Sequence, residues 1–69
     1  MSFLEKQVEI LQVSANVFEI MVIRPFCRSD EEAAQVLNLA IDWLVSKCNK
    51  SFNVYYGECM LSAAVVLYK

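Results

Sequence analysis

The chain has 69 residues, which allows one domain over residues 1–69 and excludes a second, because so short a chain buries only about 60% of its unfolded surface. Apolar and aromatic residues make up 58% of it, above the roughly 45–50% of an average soluble domain. A monomer of this size cannot bury so many apolar side chains, so the composition predicts self-association, binding to another protein, or both. The net charge of −2 and the scattered basic residues argue against direct nucleic-acid binding.

Charged residues interrupt the apolar runs too often for a membrane-spanning helix, and those within the first nine positions exclude a signal peptide. The sequence therefore predicts a cytoplasmic protein. It contains no histidine, its single glycine is Gly57, and it lacks a Gly-rich phosphate loop, so we expect no enzyme activity, catalytic residue, cofactor or small-molecule substrate. Cys27, Cys48 and Cys59 lack metal-ligand spacing and are predicted to be buried free thiols, with no metal site.

Residues 5–23 are predicted to form a β-hairpin. Polar and apolar residues alternate from Gln7 to Leu11, and β-branched or large apolar residues fill positions 17–23. The polar segment from Gln12 to Asn16 supplies the turn. Both faces of the second strand are mostly apolar, which predicts a strand that is covered on two sides or lies in an interface. Pro25 ends this strand because it has no backbone N–H to donate.

A helix is predicted from Asp30 to about Cys48. Ser29 followed by Glu32 is a capping-box pattern, and the acids at positions 30–32 complement the helix dipole or meet a basic protein surface. The predicted core stripe consists of Ala33, Ala34, Leu37, Ile41, Leu44 and Cys48. A second apolar strip consists of Val36, Leu39 and Trp43. Two interpretations stay open: the strip packs on another chain, or the hairpin covers Trp43.

The last part of the chain is predicted to end in a second helix. Periodicity does not assign residues 52–56, which either are extended or begin that helix early. The apolar run from Glu58 to Lys69 predicts a helix that is apolar on nearly all sides and must be buried on all sides. In so small a domain this implies a subunit interface. The residues predicted to form it are Met60, Ala63, Ala64, Val66 and Leu67.

The predicted order of strand, strand, helix and helix resembles the head of ZapA, a family of bacterial cell-division proteins that associate with the FtsZ ring. The residues that carry this resemblance are Val8-Glu9-Ile10-Leu11, Phe18 to Ile23 before Pro25, Asp30-Glu31-Glu32-Ala33-Ala34, Leu37-Asn38, Ile41, and Glu58 ahead of Ala63-Ala64 and Tyr68. The resemblance implies an α+β fold, with an N-terminal β-hairpin followed by two α-helices, in an intertwined or helix-packed homodimer. ZapA proteins continue into a long coiled coil, whereas this sequence ends at Lys69.

A ZapA-like head that lacks the coiled-coil tail resembles small phage-encoded anti-activators of quorum sensing. These bind the DNA-binding domain of the LuxR-type regulator LasR and also inhibit the type IV pilus ATPase. The resemblance therefore implies a phage-encoded inhibitor in the host cytoplasm that blocks DNA binding by a host regulator. The alternative that it implies is a ZapA-like division protein that associates with FtsZ.

The surface predicted to bind the host protein combines the bend at Pro25 with the second apolar strip. Arg and Trp often contribute most to the binding energy at protein interfaces. The planar guanidinium of Arg and the rigid indole ring of Trp form many contacts while losing little conformational entropy. The predicted partner-binding residues are Arg24, Phe26, Arg28, Val36, Leu39 and Trp43.

Overall fold

The computed structural model describes residues 5–68. In chain order, strands β1 (Val8–Ser14) and β2 (Val17–Val22) precede helix α1 (Asp30–Lys47), which is followed by strands β3 (Ser51–Tyr56) and β4 (Ser62–Tyr68). Short 3-10 turns span Glu5–Gln7, Arg24–Phe26 and Glu58–Met60. The strands form one antiparallel sheet in the order β1-β2-β4-β3, and α1 packs on one of its faces.

The N-terminal hairpin is present, as predicted from the polar–apolar alternation. β1 and β2 pair from Val8 opposite Val22 to Ser14 opposite Val17, and a bulge interrupts the register between Gln12 and Ser14. The turn lies at residues 15–16 and is shorter than the predicted segment from Gln12 to Asn16, because positions 12–14 belong to β1. A bulge twists an edge strand and interrupts its hydrogen-bond ladder.

Helix α1 begins where the capping pattern predicts. The Ser29 hydroxyl accepts a hydrogen bond from the backbone N–H of Glu32 at 3.1 Å. The Glu32 carboxylate in turn accepts the backbone N–H of Arg28 at 2.8 Å and the Arg28 guanidinium at 3.2 Å. These bonds satisfy donors that a helix N-terminus leaves open. The helix ends at Lys47, and within residues 5–68 no helix has the length and apolar character that crossing a membrane requires.

The hydrogen bonds to Glu32 make the stability of the fold depend on pH. The backbone N–H of Arg28 is the main cause that holds the pKa of Glu32 below its ordinary value. A carboxyl group with a lowered pKa stabilises the folded state above its unfolded-state pKa of about 4.3, and this contribution is lost as the pH falls through the folded-state value.

We expect Glu32→Gln to lose less stability than the wild type between about pH 5 and about pH 3, because the amide does not titrate. Glu31→Gln removes the same charge from the same helical turn without touching the hydrogen bonds to Arg28, and serves as the control. Urea denaturation at a series of pH values measures the effect. If the wild type and Glu32→Gln lose stability in parallel on acidification, the expectation is wrong.

The core lies between α1 and one face of the sheet. Ile20 on β2, Val65 on β4 and Leu37 on α1 are fully buried. Burial of an aliphatic side chain of this size contributes about 1.5–3 kcal/mol. The other buried apolar residues are Val8, Val22, Cys27, Ala33, Val36, Ala40, Ile41, Leu44, Ala63 and Leu67.

The prediction of a second helix is wrong over residues 58–68, while Lys69, the last residue of that predicted helix, lies outside the described residues. The prediction of a hairpin followed by two helices is therefore also wrong. Ser62–Tyr68 is strand β4, which lies between β2 and β3 in the sheet. Residues 52–56, which periodicity left unassigned, belong to β3. A central strand is apolar on both faces when both faces are shielded from water or contact another element. Its sequence is then apolar at nearly every position, as is the sequence of a buried helix.

Burial along β4 follows the period of a strand. Ala63, Val65 and Leu67 are buried under α1, whereas Ala64 and Val66 between them are half-buried on the opposite face. Side chains of a strand alternate between two faces, whereas a helix would repeat its burial every three or four residues. Ala63 and Ala64, which were both predicted to lie in one helical interface, are therefore divided between the two faces of the sheet.

Candidate protein-interaction site

The face of the sheet opposite α1 is covered by no element of the described chain, and we call it the open face. Strand register assigns residues to it, because side chains alternate and directly paired residues point the same way. Leu11, Met21 and Tyr55 on this face are 58%, 51% and 56% exposed. Its apolar members are Leu11, Val17, Met21, Tyr55, Ala64, Val66 and Tyr68.

The apolar residues of the two central strands and of β3 form one contiguous surface. Val17 on β2 lies opposite Val66 on β4. Ala64 on β4 lies between Tyr55 on β3 and Glu19 on β2. Cβ atoms of directly opposed residues are about 4.5–5.5 Å apart, so these side chains touch across the strands. A contiguous apolar patch exposed on a small protein is typical of an interaction site.

A hydrogen-bonded pair of tyrosines occupies the β3 side of the open face. The Asn53 amide donates to the Tyr68 hydroxyl at 2.7 Å. A hydrogen bond with the Tyr55 hydroxyl raises the pKa of Tyr68 above its ordinary value, and the contact with Asn53 only partly offsets this. Tyr68 is therefore uncharged at neutral pH. Tyrosine is common at interfaces because its ring is apolar while its hydroxyl keeps a polar partner.

The charged residues of the open face are acidic. Glu9 on β1 lies opposite Met21, and Glu19 on β2 lies opposite Leu11. Both carboxylates belong to exposed residues. Among residues 5–68, neither Lys nor Arg occupies a position on this face. The face thus combines apolar contact area with charge of one sign, which is complementary to a surface that is apolar and basic.

A cleft of about 240 Å³ lies on the open face near the loop between β3 and β4. Its lining includes Glu19, Met21, Tyr55, Ser62 and Ala64. Pockets for small molecules usually measure about 300–1,000 Å³. The cleft is therefore better suited to one protruding side chain of a protein than to a cofactor.

The predicted partner-binding residues around the bend lie near the start of α1, away from the open face. Arg24 donates to the Asp30 carboxylate at 3.0 Å and to the Cys27 carbonyl at 2.8 Å, so its guanidinium holds the connector against the helix. Phe26 is 52% exposed. The Arg28 side chain is also exposed while it forms an ion pair with α1. Phe26 and Arg28 are accessible, but Arg24 has a structural role.

The second apolar strip predicted on α1 is divided between the core and the surface. Val36 is buried in the core and is not accessible to a partner, which corrects its predicted role. Leu39 is half-buried. Trp43 is half-buried and packs against the core, with the Lys47 ammonium 4.3 Å from its ring centroid. The sequence left two interpretations of this strip: contact with another chain, or packing within its own chain. Packing within the chain is correct for Val36, which is buried, and is correct in part for Trp43, which is half-buried.

The residues predicted to form the dimer interface do not share one surface. Ala63 and Leu67 face α1 and are buried in the core, whereas Ala64 and Val66 lie on the open face. Met60 lies in the loop before β4 and is 46% exposed. A dimer packed through a helix at these positions is therefore excluded by the strand structure of β4.

The cysteines differ from one another in exposure. Cys27 is buried as predicted, Cys48 is half-buried, and Cys59 is exposed, so the prediction of a buried thiol is wrong at Cys59. All are free thiols. Across the described range 5–68, no group of three or more His, Cys, Asp or Glu side chains is placed to hold a metal ion.

Sequence reasoning missed most of the open face because it missed β4. The mostly apolar faces of β2 did indicate that Val17 and Met21 contact something beyond the core. Tyr55, Ala64 and Tyr68 join them only when residues 62–68 are recognised as a strand. The alternation of buried and half-buried positions is masked in the sequence, because Ser62–Tyr68 is apolar or small at nearly every position.

Comparison with known protein families, characterised proteins and solved structures finds no significant match, and so nothing in it identifies the ZapA-like family.

Proposed function

We propose that the chain is a non-enzymatic protein-binding module whose open face receives an amphipathic helix of a target protein, with Lys or Arg beside the apolar stripe of that helix. One observation carries this proposal: the open face is a contiguous apolar surface whose charged residues, Glu9 and Glu19, are both acidic. An apolar centre supplies binding energy, and complementary charge supplies orientation and specificity.

The architecture of the sheet favours a helix as the occupant. α1 already covers the other face of the same sheet, so a sheet of this width accommodates a helix. In an antiparallel sheet the helices of the chain usually lie on one face, so the other face is available to a helix from another protein. The target helix would complete a three-layer packing.

Charge disfavours face-to-face packing of two open faces. Such packing would bring Glu9 and Glu19 of both copies into one apolar interface without a cation from the described part of either face. Burial of carboxylates without opposite charges costs several kcal/mol. A basic target avoids this cost, because it pairs the same carboxylates with Lys or Arg.

The proposed mode of action is occlusion, in which the bound module covers a surface that the target needs for its own contacts. A basic helical target fits the partner implied by the resemblance, a LuxR-type DNA-binding domain, better than it fits a filament. LasR and the type IV pilus ATPase stay predictions, as does FtsZ in the alternative role at the division ring. We place the proposed activity in the cytoplasm, where free thiols such as Cys59 remain reduced.

We expect Glu19→Lys to weaken binding to a basic amphipathic helix by about tenfold, or about 1.4 kcal/mol, because it replaces an attractive charge contact with a repulsive one. The probe is a synthetic helix with a leucine stripe flanked by Lys and Arg. A second peptide with Glu at each Lys and Arg position serves as the control ligand. Isothermal titration measures both affinities.

Glu31→Lys is the matched control variant, because it makes the same charge change on exposed α1, on the other side of the sheet. We expect Glu31→Lys to leave the affinity within about twofold of the wild type. Equal affinity of the wild type for the basic and acidic peptides would contradict the proposal, as would equal losses in the two variants. Titration with the DNA-binding domain of LasR and with the pilus ATPase then tests the specific targets.

A further inference from the structure

The free edge of β3 is exposed and lacks the features that usually protect an edge strand. Among the described residues 5–68, β3 pairs only with β4, so no described strand covers its other edge. Native proteins protect such edges with charged residues, proline or bulges. The other edge strand, β1, carries Glu9 and a bulge between Gln12 and Ser14. β3 has the uncharged sequence SFNVYY over Ser51–Tyr56, in regular register and without proline.

The hydrogen-bonding direction of each β3 residue follows from the ladder that it forms with β4. The N–H of Gly57 donates to the carbonyl of Ser62 at 2.8 Å, so Gly57 points toward β4. In an antiparallel ladder, successive residues point alternately to the two sides. The residues that direct their N–H and C=O groups to the free edge are therefore Phe52, Val54 and Tyr56.

We propose that β3 pairs antiparallel with β3 of a second copy of the chain, about a two-fold axis that passes through Val54. In this register Val54 faces Val54, and Phe52 faces Tyr56 of the second copy. Each outward-pointing backbone group of the strand then has a partner. The two sheets join into one continuous sheet, and an axis perpendicular to it places both α1 helices on the same side.

The charges that flank β3 identify the occupant and the register. Lys50 precedes the strand and Glu58 begins the 3-10 turn after it. Both are exposed, and the Lys50 ammonium donates to the Asn16 side-chain oxygen at 3.4 Å, a surface contact that it would exchange for the pair with Glu58. With Val54 on the axis, the register continued past the strand ends brings Lys50 close to Glu58 of the second copy, within reach of their long side chains, and the symmetry repeats this pair at the other end. With Asn53 on the axis, Lys50 would oppose Tyr56 and the charge pairs would be lost. Opposite charges across an antiparallel pair stabilise it, so the edge is complementary to itself in one register.

The β3 edge is separate from the open face, so the dimer does not depend on the proposed function. It has a consequence for that face, however. The perpendicular axis places both open faces on the side away from the helices, where they form one wider surface. A dimer of this kind therefore leaves the open face of each copy accessible, so the dimer has two target-binding faces.

Sedimentation velocity over low-micromolar to sub-millimolar concentrations tests the dimer with the full chain. We expect the wild type to dimerise with a micromolar dissociation constant. Lys50→Glu and Glu58→Lys each convert both symmetric charge pairs into repulsive contacts and should raise this constant about tenfold, which equals about 1.4 kcal/mol. The double variant Lys50→Glu/Glu58→Lys exchanges the charges and should return the constant to within about twofold of the wild type.

Glu31→Lys is the control for Glu58→Lys, because it changes the net charge equally at an exposed site on α1. It should leave dimerisation unchanged. Val54→Lys, which places like charges directly opposite at the axis, should give a monomer, and circular dichroism checks that each variant is folded. A wild type that stays monomeric at all concentrations overturns the proposal. So does a dimer that Val54→Lys leaves intact, or one in which the charge exchange fails to restore affinity.

Discussion

Val65→Asp is expected to unfold the protein. Val65 is fully buried on β4 beneath α1, so the new carboxylate would lie in the core without a partner. Burial of an unpaired charge costs several kcal/mol, which is comparable to the total stability of a domain of this size. Circular dichroism and urea denaturation measure the loss.

Val66→Asp is the matched control for Val65→Asp, because it makes the same substitution one residue further along the strand. Val66 lies on the open face and is half-buried, so we expect a folded protein that is less stable by about 1 kcal/mol. The contrast between adjacent residues tests the strand directly, since a helix apolar on all sides would bury both. Similar behaviour of the two variants would contradict the assignment of β4.

Leu37→Ala is expected to destabilise the fold by about 2–5 kcal/mol, because it leaves a cavity where α1 packs on the sheet. Leu37 is fully buried in the core. For a domain of this size each kcal/mol lowers Tm by roughly 4–8 °C, so Tm is expected to fall by at least roughly 8 °C. Thermal and urea denaturation give the magnitude.

Leu39→Ala removes the same atoms from the same helix at a half-buried position, and we expect it to cost about 1 kcal/mol or less. It also tests the apolar strip that the sequence predicted as a binding surface. If Leu39→Ala leaves the stability intact but abolishes binding to the basic helix, then the target is bound on α1 and not on the open face. Equal destabilisation by Leu37→Ala and Leu39→Ala would contradict the observed face of α1.

The local elements were predictable because the interactions that define them lie within a few residues. The capping hydrogen bonds of α1 join residues 28–32, and Ser29 with Glu32 is visible in the sequence as a pattern. The hairpin of β1 and β2 needs only alternation and a short polar turn. Proline lacks a backbone N–H in any structural context, so the end of the strand before Pro25 could be predicted without knowledge of the fold. These features depend on backbone chemistry and side-chain spacing, so the sequence alone was sufficient for them.

The C-terminal part was not predictable in this way, because β4 pairs not only with its chain neighbour β3 but also with β2, which lies far away in the sequence. Ala63 lies opposite Ile20 on β2 and opposite Tyr56 on β3. Local propensity for a helix, from the alanines and Glu58, competes with these pairings, and the pairing with β2 cannot be read from the neighbouring residues. Tertiary contacts override local propensity in such segments. The sequence predicted that this run is buried on all sides, whereas the structure buries Ala63, Val65 and Leu67 and leaves the alternate positions half-buried or exposed.

The same distinction applies to the candidate site: the sequence predicted that an interaction surface exists, but not where it lies. The excess of apolar residues in so short a chain predicted an interaction surface, and this follows from surface-to-volume scaling alone. Its position depended on which face of the sheet α1 covers, since the other face then remains open to solvent. The tertiary structure therefore decided that Met21, Tyr55 and Tyr68 are exposed together, whereas Val36 and Leu67, which the sequence ranked as contact residues, are buried in the core.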